Sequence, residues 1–135
     1  MPAKVLYASD FYLIEIDVEN KILRSKWLRS VNCEEMKTGG TKLYEALRDT
    51  GAELVVANAQ LLRTLDSATK EWMSFEFYEL LSLTKLKRMA RVLPVNVFSR
   101  IALESVATRA EASGVTKFNF RNFAEQQEAE QWLIS

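Results

Sequence analysis

From Lys4 to Leu28 the apolar positions recur at a spacing of two. Residues 4–8 (KVLYA) and 11–18 (FYLIEIDV) are rich in β-branched and aromatic side chains, and Ser9 and Asp10 between them are turn formers. In the second run Tyr12, Ile14, Ile16 and Val18 share one face while Glu15 and Asp17 take the other, the pattern of a strand covered on one side. Glu19-Asn20 then reverses the chain, and residues 21–28 (KILRSKWL) predict a third strand in which Leu23, Ser25 and Trp27 oppose Ile22, Arg24, Lys26 and Leu28. The first part of the chain therefore reads as an antiparallel meander.

At Asn32 the period changes from two to that of a helix. Asn32 and Glu35 have the spacing of a capping box, and Met36, Leu43, Tyr44 and Leu47 follow at helical intervals to about Thr50, where Gly51 stops the run. Gly39-Gly40 inside it weakens the helix by about 1 kcal/mol per residue relative to alanine. Close packing of the backbone on the sheet explains the pair, because a phosphate loop needs a lysine and a glycine spacing that this segment lacks. Residues 53–57 (ELVVA) predict a buried central strand, residues 58–66 a loop, and residues 67–81 a second helix. Residues 88–93 predict another strand ended by Pro94, with Val92 and Leu93 expected in the interior beside Val55 and Val56. A third helix is capped by Asn96 and stopped by Gly114, a strand covers Thr116 to Phe120, and a last helix opens at Asn122-x-x-Glu125 with Ala129, Trp132 and Leu133 on one side. The fold class is α/β, bordering on α+β: one domain over residues 1–135, with a mixed sheet whose antiparallel meander leads into alternating helices and strands.

Composition narrows the function. Hydrophobic residues make up 48% and charged residues 27%, and no apolar stretch is long enough to cross a membrane, which predicts a globular protein without a transmembrane segment. Eighteen Lys and Arg balance eighteen Asp and Glu, removing the overall attraction expected of a nucleic-acid binder. With no histidine and a single cysteine, Cys33, the chain lacks an imidazole base, an intrachain disulfide and a cysteine zinc cage. No metal or cofactor is expected, and the free thiol and the absence of an export signal lead to the expectation of a cytoplasmic protein.

Taken in order, the meander FYLIEIDVENKILRSKWL, the strand AELVVAN with its polar loop, Trp72, the unit ARVLPVNVFSRIALESV and the closing FNFRNFAEQQEAEQWL resemble the STAS domain superfamily. The likeness is to its SpoIIAA-like branch of small stand-alone bacterial proteins, and it covers nearly the whole chain. It implies a non-catalytic regulatory or protein-interaction module, with two alternatives: a carrier of a small apolar or lipid-like ligand in a groove under helix 67–81, and an antagonist of an anti-sigma factor switched by phosphorylation. The family's phosphorylated serine matches Ser67, beside Asp66, although Ala68-Thr69 stands where a glycine is expected. Ser67 is equally explained as the helix N-cap.

Helix 67–81 carries more apolar residues than one stripe requires. At 100° per residue, Met73, Phe77, Leu80 and Leu81 form the more apolar side, while Trp72, Phe75 and Leu83 cluster with Glu76 and Glu79. Trp72, Phe75, Tyr78 and Glu79 are thus candidates for an interface or ligand groove, and a symmetric homodimer through this surface is expected. Lys85, Lys87, Arg88 and Arg91 form a basic run read as a solvated face, which Arg24 and Lys26 extend if the sheet brings them near. Glu15 and Asp17 are spaced for shared carboxylate chemistry, and Cys33 sits at a helix start, but neither has a catalytic partner in the pattern, so the chain is read as not an enzyme.

Overall fold

The meander, the caps and the buried runs produce most of the elements they predict. A computed structural model describes residues 3–63, 65–114 and 116–135; Thr64, within the expected loop, lies outside them. Strands β1 (Ala3–Ala8), β2 (Tyr12–Asp17) and β3 (Ile22–Trp27) pair antiparallel. Helix α1 (Cys33–Thr50) leads to β4 (Leu54–Asn58). A helical stretch of α2 (Ser67–Trp72), a π-helical turn (Met73–Phe77) and α3 (Tyr78–Ser82) leads to β5 (Arg88–Val92). Helix α4 (Val97–Ser113) precedes β6 (Asn119–Phe123), and α5 (Gln126–Leu133) ends the chain.

The strands lie in one mixed sheet in the order β1-β2-β3-β4-β5-β6, with β3 to β6 parallel. Each parallel crossover steps one strand in the same direction, and right-handed connections then place α1, α2-α3 and α4 on the same face. The larger core lies on that face, where Leu23, Val55 and Met89 of the sheet meet Leu43, Phe77, Leu81 and Val106 of the helices. Helix α5 covers part of the opposite face, where Ala129 and Leu133 pack on Ile22, Val56, Ala90 and Val92. Val55, Val56, Val92 and Leu93 are all interior, as expected.

Local chemistry fixes the ends of α1. Asn32 accepts a hydrogen bond from the Glu35 backbone N–H at 2.8 Å, the Asn32 N–H donates back to the Glu35 carboxylate at 3.1 Å, and Gly51 closes the helix at φ 67° in the left-handed region. The glycine pair lets two layers approach. A Cβ on Gly39 would lie 2.6 Å from the Trp27 ring and 2.9 Å from Tyr12, and one on Gly40 would lie 2.7 Å from Trp72.

Three expectations need correction. Val18 lies past the end of β2 and is exposed, whereas Asp17, assigned to the solvated face, is buried. Asp17 accepts from the backbone N–H groups of Glu19 and Asn20, from the Asn20 side chain and from Arg24, so its burial is supported by a full set of donors. The sixth strand runs three residues later than Thr116 to Phe120. Asn122 does not open α5: it lies in β6 and accepts a hydrogen bond from its register partner Arg91, and α5 begins instead at Gln126 after Glu125, which makes no side-chain cap.

The Asn20 backbone N–H, with Arg24, holds the Asp17 carboxyl below the ordinary range, and Arg29 and the Asn32 N–H do the same for Glu35. Folded-state pKa values below the unfolded ones mean that the unfolded chain binds more protons in acid. Thermal stability should therefore hold above the unfolded carboxylate range near about pH 4, fall as pH drops through the lower folded values, and stay nearly flat from about pH 6 to 8 because histidine is absent. Melting temperatures across that range check this; a rise in stability on acidification contradicts it.

Candidate functional site

The residues singled out on helix 67–81 separate into two groups. Trp72 and Tyr78 are 8% and 0% exposed, so the structure removes them from any interface surface, while Phe75 and Glu79 remain outside. The π-helical turn after Trp72 adds a residue to a uniform 100° progression, so that Trp72 before it and Phe77 and Tyr78 beyond it share the buried side. Trp72 then stacks on Phe77, ring centroids 5.4 Å apart, and both face Gly40. Phe75 is 41% exposed and is partly shielded by the Arg109 guanidinium, 5.4 Å from its ring centroid. Beneath this helix, where a ligand groove was expected, lies a cavity of ≈ 30 Å³, room for about one water molecule.

The cap of α2 is Asp66, not Ser67. The Asp66 carboxylate accepts from the Thr69 backbone N–H at 2.8 Å, which also holds its pKa below the ordinary carboxylate range, and Ser67 follows as an exposed first-turn residue. Asp66→Ala should lower the melting temperature by a few degrees while Ser67→Ala leaves it unchanged. Equal melting temperatures for the two variants in a thermal scan would remove Asp66 from that role.

The charged candidates are occupied by structural contacts. Asp17 is taken up by its turn and by Arg24, which also reaches Glu130 of α5 at 2.7 Å, so Glu15 and Asp17 do not form a paired-carboxylate centre. Arg88 donates to the Trp132 carbonyl from 3.2 Å, and Arg91 is buried, so the basic run is not one solvated face. Cys33 is half-buried in the first turn of α1. Among the described residues no group of three or more His, Cys, Asp or Glu is placed to hold a metal ion, and no helix is long and apolar enough to cross a membrane.

A different surface stands out at the carboxyl ends of β4 and β5, where the loops to α2 and α4 meet. Helix α4 buries Ser99, Leu103, Val106, Ala107 and Ala110. Val97, Phe98 and Ile101 fall on the opposite side of the helical wheel and are exposed, Phe98 to 82%. Val95, just before the cap Asn96, is 80% exposed, and it shares a depression of ≈ 360 Å³ with Leu61 and Arg63 from the loop after β4. An adjoining depression of ≈ 490 Å³ is lined by Arg63, Leu65, Lys70, Asn96 and Phe98, among others. The ionisable side chains lining the two are Arg63 and Lys70, with no carboxylate, and neither cation enters an ion pair among the described residues. The signal was present in VNVFSRIALES, where the helical wheel puts three large apolar residues opposite Leu103 and Val106. The aromatic surplus of helix 67–81 masks it in the sequence.

No protein-family model matches the chain, and neither does any curated protein or solved structure.

Proposed function

We propose that the chain is a non-catalytic interaction module of the STAS type that docks a protein segment at the carboxyl edge of its parallel strands. The observation that carries this reading is the exposed apolar cluster of Leu61, Val95, Val97, Phe98 and Ile101, set beside Arg63 and Lys70. Large apolar residues gathered on one edge mark a surface that is covered in use, and crevices at the carboxyl ends of parallel strands are where such sheets take ligands. Arg63 and Lys70, neither of them in an ion pair among the described residues, select a partner segment whose apolar side chains are flanked by carboxylates. A symmetric pair of these surfaces brings Arg63 and Lys70 of two copies together, so this edge favours a different chain over a second copy.

A photo-crosslinker placed at residue 98 in the native host tests the reading. It should capture one defined protein, and the same crosslinker at the exposed Ile134 should not. Equal capture from the two positions, or none at residue 98, counts against it.

A further inference from the structure

The cavity beneath the π-helical turn is too small for an organic ligand, yet its lining is not simply apolar. Tyr12, Trp27, Met73, Phe77, Tyr78 and Arg91 contribute to its wall, and no carboxylate does. Arg91 is 3% exposed. Its Nε donates to Asn122 Oδ1 at 3.0 Å, one Nη to the Tyr78 hydroxyl at 2.7 Å and the other to the Leu103 carbonyl at 3.0 Å, and the Phe120 ring centroid lies 5.7 Å from its Cζ. All of these acceptors are neutral. They satisfy hydrogen bonds without cancelling the charge, and no ion pair among the described residues includes Arg91.

A guanidinium carries five N–H groups, and the three bonds above leave two without an acceptor. The Tyr78 hydroxyl accepts from Arg91 and keeps its own proton to donate. Burial pushes both the Tyr78 and Tyr12 phenols up, so each remains an O–H donor at neutral pH. The wall thus combines a buried cation and phenolic donors in a space of ≈ 30 Å³ that no carboxylate lines; Glu111 of α4 acts on Tyr78 through its charge but does not contribute to the wall.

We propose that this cavity binds one monatomic anion of chloride size, which serves as the counter-ion of Arg91. The volume admits a single water molecule or a halide and excludes sulfate, phosphate and carboxylic acids. A water molecule fills the space but leaves the charge uncompensated. The anion braces Tyr78 at the exit of the π-helical turn. Leu62 lines both this cavity and the outer depression beside Leu61, so the anion site and the carboxyl edge share a wall.

Crystals of the full chain grown with sodium bromide test the site directly. An anomalous difference peak is expected within hydrogen-bond distance of the Arg91 guanidinium inside the cavity. In parallel, sodium bromide or chloride should raise the melting temperature of the wild type above that in sodium gluconate at equal ionic strength, by several degrees at about ten times the Kd. The increment should vanish in Arg91→Met, whereas a general salt effect persists in that variant. Water alone in the cavity, or bromide found only on the surface as an adventitious ion, overturns the proposal. An equal rise in wild type and variant overturns it too. If Arg91→Met fails to fold, the wild-type bromide map decides alone.

Discussion

Valine in place of Gly39 is expected to abolish folding to a soluble product, because its branched side chain has nowhere to go. Even the single Cβ of Gly39→Ala would meet Trp27 at 2.6 Å and Tyr12 at 2.9 Å. The tryptophan has little room to yield: it stacks on Tyr12 with ring centroids 3.8 Å apart and is itself buried. Overpacking of this kind costs about 1 to 3 kcal/mol, against about 1 kcal/mol that alanine contributes through helix propensity. Gly39→Ala should therefore be less stable than wild type by up to about 2 kcal/mol on urea unfolding. Trp27→Phe removes the ring atoms nearest the new methyl group. The double variant should be more stable than the sum of the two changes by about 1 kcal/mol, and strict additivity would mean that α1 does not rest on Trp27 as described.

That seat shows which parts of the fold were legible. The glycine pair marked close approach, and the capping box of Asn32 and Glu35 marked where α1 begins, since both are local signals whose physics is contained in a few neighbouring residues. The caps at Gly51, Asn96 and Gly114 and the buried runs of β4 and β5 were legible for the same reason. Asn122 misled because its spacing to Glu125 imitates a helix start while its side-chain oxygen is claimed by Arg91, a residue 31 positions away. No local rule contains that competition. The edge strand β6 was also displaced, since it has no fully buried residue to fix its register. Trp72 was misplaced because a π-helical turn shifts the phase of the apolar stripe, and the composition of Met73–Phe77 carries no mark of it. The exposed face of α4 was readable from its wheel alone, though the cations beside it come from the loop and helix before β5 and needed the fold to assemble them.

Phe98→Glu should lose the partner while leaving the fold untouched, and the two halves of that expectation rest on different facts. At 82% exposure Phe98 contributes little to the core, and a carboxylate in the first turn of α4 interacts favourably with the helix dipole, so the melting temperature should be unchanged or slightly raised. Binding loses twice. The aromatic anchor is removed, and the new carboxylate lies in the depression lined by Arg63 and Lys70, where it competes with the acidic groups of the partner. An aromatic anchor at an interface centre is worth about 2 to 3 kcal/mol, or roughly 30- to 150-fold in Kd, which titration calorimetry with the crosslinked partner resolves. Ile101→Glu should act in the same direction, because Ile101 follows Phe98 by one turn on the same exposed face. Phe75→Glu is the discriminating control. It changes the exposed aromatic that the sequence pattern offered as an interface, on a side of the helical layer where Arg109 partly shields the ring. Unchanged affinity in Phe75→Glu with a large loss in Phe98→Glu places recognition at the carboxyl edge; the reverse order returns it to helix 67–81.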